Sequence, residues 1–220
     1  MRHLAINQKL ASCILLVFAN AASAQTGHVY GTVVSEYGSP VAAVKVTAKL
    51  ISDNPVVRAI KYVETDASGH FQIDHLAWGE YKLFTQKVSD GYPNSASTFY
   101  SNASAPRIRL TPQNQSATVT LNLGPKAGVV RGTIVDGVTG APVDASVRLW
   151  RISNPNFWLE KPLRSQYLLL IPPNASIGME VSAEGYASWY YPGAPAPGQA
   201  LKEASNQVMV LDVRLTPVQR

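Results

Sequence analysis

Disulfide chemistry is almost absent from this chain, whose 220 residues include a single cysteine, Cys13. Charge is scarce too, at 15% of residues against roughly 25% in an average soluble domain. So little charge rules out an extended disordered tail and a charge-patterned coiled coil. Catalytic signatures are missing as well. There is no Gly-x-Ser-x-Gly elbow, no Gly-x-Gly-x-x-Gly loop and no Gly-x-x-x-x-Gly-Lys cradle, so serine nucleophiles and nucleotide chemistry lose their usual signals. None of His28, His70 or His75 sits in a His-Glu-x-x-His frame, which removes the zinc-peptidase pattern. What is present is 46% hydrophobic residues with 15 Gly and 15 Pro, the composition of a strand-and-turn protein with a core.

The first 24 residues read as a secretory leader. Arg2 and Lys9 give a positive start, Leu10 to Phe18 are too few to span a bilayer, and Ala22-Ser23-Ala24 offers small residues for cleavage before Gln25. Leu10-Ala11-Ser12-Cys13 also spells a lipobox, but the apolar run follows Cys13 instead of preceding it. Ordinary cleavage removes the sole cysteine, and with it thiol catalysis and cysteine metal sites. The expected location is secreted, periplasmic or cell-envelope, with a bacterial-looking leader. No later run approaches ~18 apolar residues, so no membrane span is expected. Of the formal charge of +5, Arg2 and Lys9 account for two, and the remainder is too small to point to nucleic acid.

A repeat organises the rest. Gly31-Thr32-Val33-Val34 followed by Gly38-Ser39-Pro40-Val41 recurs as Gly132-Thr133-Ile134-Val135 followed by Gly140-Ala141-Pro142-Val143. Asp90-Gly91-Tyr92 followed by Phe99-Tyr100 is echoed by Glu184-Gly185-Tyr186 followed by Tyr190-Tyr191. Two copies, over 25–124 and 125–220, each long enough to close its own core, explain this most simply. Gly124-Pro125-Lys126-Ala127-Gly128 is the expected boundary and a potential hinge.

Within each copy apolar residues alternate with polar ones, as in Val44, Val46, Ala48 and Leu50, or Ala145, Val147 and Leu149. Half-buried strands with Gly/Pro punctuation predict an all-β fold of two tandem antiparallel β-sandwiches. Helix-forming composition is confined to Gln199 to Asn206, enough for a turn or two at most.

Several spaced elements of the first copy resemble the carboxypeptidase regulatory-like domain. They are Gly31-x-Val33, Gly38-x-Pro40-Val41, Val44-x-Val46-x-Ala48, Thr65-Asp66-Ala67-Ser68-Gly69-His70-Phe71, Leu76-x-x-Gly79-x-Tyr81-x-Leu83 and Gly91-Tyr92. The resemblance implies a transthyretin-like sandwich grouped with carbohydrate-binding-like folds. The second copy departs from it: Leu163 to Ile171 lacks the Asp-x-x-Gly turn, and Pro172-Pro173-Asn174-Ala175 stands where Gly-x-Tyr is expected.

The residue types in the first copy's motifs suit structural tasks. Asp66 can accept backbone amides in a turn that Gly69 closes, and Pro40 stiffens its loop. His70 and His75 are five apart on a strand, hence on opposite faces by parity and unsuited to one metal. Neither a metal nor a cofactor is expected.

Aromatic residues are the remaining signal. Trp150 is out of phase with Val147 and Leu149, so parity points it to solvent; Trp158 lies in an Asn/Pro-rich stretch read as a loop; and Trp189, Tyr190 and Tyr191 form a dense run. Such rings can stack on sugars, dock an envelope protein, or cover sandwich ends and pack between domains. The leading expectation is an exported, non-catalytic module that binds carbohydrate through these five residues. A structural or protein-interaction role, with Trp158 and Trp189 buried between domains, is one alternative. The other is a hydrolase, which requires at least two of Glu64, Asp66, His70 and Asp74 to converge in a pocket. Asn102, Asn114 and Asn174 head Asn-x-Ser sequons, which imply exposure.

Overall fold

The computed structural model describes residues 26–53, 59–100, 105–192, 200–202 and 204–218; the leader, Cys13 and Asn102 lie outside them. Among the described residues every regular element is a strand except a 3-10 turn at Val88–Asp90, so the fold is all-β as expected. The described residues of the 199–206 segment form a bridge and a turn, with Leu201 in the core.

The first sandwich is built from β1 (Gly27–Val34), β2 (Lys45–Leu50), β3 (Ile60–Glu64), β4 (His70–Leu76), β5 (Gly79–Gln86), β6 (Arg107–Leu110) and β7 (Ser116–Asn122). Its sheets have the orders β4-β1-β7 and β3-β2-β5-β6. The second is built from β8 (Gly128–Asp136), β9 (Ala145–Arg151), β10 (Asn154–Leu163), β11 (Gln166–Ile171), β12 (Ile177–Ser182), β13 (Trp189–Tyr190), β14 (Val208–Val210) and β15 (Val213–Leu215). Its sheets are β11-β8-β14, with β15 also pairing β8, and β10-β9-β12-β13. The two sandwiches therefore share a topology, β8 standing where β1 stands and β9 where β2 stands. Alternation puts Val29, Val33, Val46, Ala48, Ile73 and Leu83 into one core and Val130, Ile134, Val147, Leu149, Met179 and Val181 into the other.

Most pairings are antiparallel, but each sandwich has a parallel exception. β7 runs parallel to β1, and β14 and β15 run parallel to β8. The repeated Gly-Thr motif places its glycine at these contacts. A Cβ on Gly31 would stand 2.2 Å from the Val119 carbonyl oxygen, and one on Gly132 would stand 2.0 Å from that of Leu211. An aromatic side chain opposes each glycine on the other neighbour, Phe71 facing Gly31 and Tyr167 facing Gly132. The alternating stretch Met209 to Leu215 is broken into two strands at Leu211 and Asp212, where Asp212 Oδ1 accepts from the Thr133 amide at 2.9 Å and its hydroxyl at 2.7 Å.

Three local expectations change. The 124–128 segment is tethered, because Ala127 is buried, its amide donates to the Gly91 carbonyl at 2.8 Å and its own carbonyl accepts from the Asn206 amide. Trp158 lies in β10, not in a loop; Pro155 and Pro162 are tolerated because β10 is an edge strand. His75 adopts a φ of 55°, which shifts the β1/β4 register, so His75 and His70 are both exposed while Leu76 turns inward.

Phe99 and Tyr100 carry the first copy's chain onto the second core. Phe99, between β5 and β6 in the chain, is fully buried in the second sandwich's core. Its carbonyl accepts from Arg151 Nε at 2.9 Å, and its ring meets Tyr100 edge-on at 5.0 Å. Burial pushes the Tyr100 phenol up to about 12.

Candidate functional site

The outward face of β10-β9-β12-β13 gathers aromatic and charged side chains in two adjoining rows. Inward Val147 and Leu149 fix the phase of β9, which leaves Ser146, Arg148 and Trp150 facing out. Register then sets the rest. Trp158, Trp150 and Gly178 lie side by side in one row, and Glu160, Arg148, Glu180 and Tyr190 in the next.

Gly178 carries the geometry of the first row. A Cβ there would stand 2.1 Å from Trp150 Cε2 and 2.3 Å from Cζ2, so the indole lies across the bare backbone of β12. One ring face rests on the sheet and covers Gly178, which is buried although its position points outward. Trp158 is 50% exposed, with the Arg148 guanidinium carbon 5.4 Å from its ring centroid. In the second row Glu180 Oε1 accepts from Ser188 Oγ at 2.9 Å and from Tyr190 Oη at 3.2 Å. Burial, then the Glu180 charge, push the Tyr190 phenol above its ordinary value. Arg148, Trp150, Pro155, Glu180 and Tyr190 line a shallow hollow of about 290 Å³.

The five aromatic residues singled out from the sequence thus divide. Trp150, Trp158 and Tyr190 share the outward face. Trp189 opposes inward Val181, and Trp189 and Tyr191 pack against the second core, a correction to the picture of a continuous exposed run. The cause is strand alternation, which sends neighbours in the chain to opposite sides. Trp158 is not buried between domains, and Trp189 is covered by its own sandwich. Arg148, Gly178 and Glu180 went unnoticed in the sequence; Arg148 was detectable from the phase of β9, but Gly178 and Glu180 needed the β9/β12 register.

Three of the four residues weighed for hydrolysis come together. Glu64, Asp66 and His70 line an open groove of about 590 Å³ on the first sandwich, all three exposed. Asp66 Oδ1 accepts from the His70 amide at 2.9 Å and the Ser68 amide at 2.8 Å, and Gly69 closes the turn with φ of 75°. The His70 amide bond, foremost, holds the Asp66 carboxyl below its ordinary range. Oδ2 lies 3.8 Å from His70 Nδ1. Asp74 is engaged elsewhere, 2.7 Å from His28 Nδ1 and within reach of Gln72. Among the described residues no group of three or more His, Cys, Asp or Glu could hold a metal ion, and no helix is long and apolar enough to cross a membrane.

No family model and no curated protein matches the sequence. Among solved structures the chain is similar to a streptococcal ancillary pilin, at 13% identity and a TM-score of 0.41, over 90% of this chain and 64% of that one. It is also similar to the shaft pilin SpaA from Lactobacillus rhamnosus GG, at 9% identity and a TM-score of 0.35, over 89% of this chain and 99% of that one. A third, (S)-allantoin synthase, matches at 11% identity and a TM-score of 0.34, over 46% of this chain and 42% of its own. The chain spans less than two thirds of the ancillary pilin's length. Likeness at this distance carries no inference about function.

Proposed function

We propose that this chain is an exported, non-catalytic recognition module of the cell envelope that binds carbohydrate on the outward face of β10-β9-β12-β13. The observation that carries the proposal is Trp150 lying across Gly178. An indole flattened on a sheet offers a wide apolar plane at little entropic cost, the surface that suits the C–H face of a sugar ring. Trp158 stands beside Trp150 on the edge strand, while Arg148 and Glu180 supply charged hydrogen-bonding groups beside them for hydroxyls.

Binding fits these groups better than hydrolysis does. Glu180 is only half-buried, its Oε1 taking two hydroxyl donors and leaving Oε2 for a sugar, and Glu160 stands exposed to water, whereas a general acid calls for a desolvated carboxyl. Strand addition by a protein partner at the β10 edge is opposed by Pro155 and Pro162, which cannot donate to a new ladder.

A glycan-array screen of the chain from Gln25 onward tests the reading, with Trp150→Ala as the control. Binding to a defined glycan set that Trp150→Ala abolishes is the expected result. An empty array, or binding indifferent to the substitution, refutes it.

A further inference from the structure

A second face carries an arrangement that the fold does not require. On the outward side of β3-β2-β5-β6, register sets Lys49 opposite Ile60 and Lys82, and Lys82 opposite Arg107. Three cations therefore sit side by side on neighbouring strands, about 4.8 Å apart in backbone spacing. Lys45 and Arg109 extend the charge up and down the same face, giving five cations against Glu64 and Glu80. Directly opposed like charges destabilise a sheet.

Neutralisation is incomplete. Glu80 engages Arg107, Oε1 accepting from Nη1 at 3.1 Å, and the Lys45 ammonium sits 4.3 Å from the centre of the Tyr62 ring. Among the described residues, no carboxylate lies within ion-pair distance of Lys49 or Lys82. Those two lysines border a groove of about 460 Å³ with Phe84 beside them and the hydroxyls of Ser95 and Thr98 along the wall.

We infer that this groove binds an acidic polysaccharide, its carboxylate or sulfate groups meeting Lys49 and Lys82. Charge complementarity selects an anionic occupant. The groove, with its hydroxyl-bearing wall, suits a chain better than a planar bilayer. Nucleic acid fits poorly, because single strands are held by stacking on open rings, whereas Phe84, the aromatic residue of the groove, is half-buried and the exposed Tyr62 lies outside the groove lining. This site shares no residue with the Trp150 face and stands or falls separately from it.

The test is binding of the chain from Gln25 onward to polygalacturonate fragments, dextran sulfate and neutral dextran, each at low salt and at 0.5 M NaCl. The acidic polymers should bind, neutral dextran should not, and salt should weaken binding at least about tenfold through screening. Lys49→Gln/Lys82→Gln should lower affinity by about tenfold while leaving the thermal midpoint unchanged or raised, since it relieves the opposed charges. Glu80→Gln should act in the opposite sense by releasing Arg107. The inference is overturned if neither acidic polymer binds, or if the lysine variant binds them normally or unfolds earlier. Tighter binding to single-stranded DNA or phosphatidylglycerol vesicles than to the acidic polymers overturns it equally.

Discussion

Trp150 and Gly178 form a single structural unit: the indole of one strand occupies the space a side chain on the next would need, with only 2.1 Å between Cε2 and a Cβ on the glycine. The flatness of the aromatic face depends on this glycine. Gly178→Ala should lift the indole, shift tryptophan emission and weaken glycan binding, at a stability cost of about 1–3 kcal/mol from overpacking. Emission and thermal midpoint measured together check it; an unchanged spectrum with unchanged binding would show that the ring does not depend on the glycine.

Phe99 should couple the two sandwiches. Its ring is fully buried in a core otherwise built by β8 to β15 and its neighbours, so Phe99→Ala should remove about 3–5 kcal/mol, chiefly from the second sandwich. Denaturant unfolding followed by tryptophan emission reports this directly, because Trp150, Trp158 and Trp189 lie in the second sandwich and Trp78 in the first. A loss confined to the first sandwich's transition would contradict the placement.

Asp136 and Tyr186 predict an acid and an alkaline limb of stability. Asp136 Oδ1 accepts from the Val138 and Thr139 amides, and Oδ2 from Tyr186 Oη at 2.9 Å. The Thr139 amide, foremost, holds the Asp136 carboxyl below its ordinary 3.8, so this stabilisation is present above that pH and is lost as pH falls through the lowered folded value. The hydrogen bond to Asp136 raises the Tyr186 phenol above its ordinary 10.0, so its contribution is full below pH 10 and is lost as pH climbs through the raised value. In thermal melts across pH, Tyr186→Phe should remove the alkaline limb and keep the acid one, whereas Asp136→Asn should flatten the acid limb.

Gly31 and Gly132 should tolerate substitution far less than Gly38 or Gly140, despite the positive φ of the latter pair. A methyl group on Gly31 or Gly132 meets a backbone carbonyl at 2.2 or 2.0 Å, while nothing lies within 4 Å of one on Gly38 or Gly140. Alanine at either of the first two should cost more than the roughly 1 kcal/mol expected of strain at the turns. Comparable melting points for Gly132→Ala and Gly140→Ala would contradict the close approach.

Period-two alternation made the strands legible from sequence, and the repeated Gly-Thr and Gly-x-Pro-Val blocks made the tandem arrangement legible. Side-chain phase also placed Trp150 outward, as the register with Arg148 and Glu180 shows. The same rule, applied to Trp189-Tyr190-Tyr191, would have separated Tyr190 from its neighbours. What remained hidden depends on pairing between strands distant in the chain: Gly178 beneath Trp150, the Lys49-Lys82-Arg107 row, and Phe99 crossing into a core built largely by later residues. Parallel pairing of first and last strands was hidden for the same reason, since alternation is identical in either direction.

On the proposed reading, the outward rings recognise sugar while the inward ones serve the fold. Calorimetric titration of a glycan identified by the array into wild type, Trp158→Ala and Trp189→Phe separates the two roles. Trp158→Ala should lose about tenfold or more in affinity with its melting point intact, and Trp189→Phe should lower the melting point and keep the affinity. Equal affinities for wild type and Trp158→Ala, or a binding loss confined to Trp189→Phe, would contradict it.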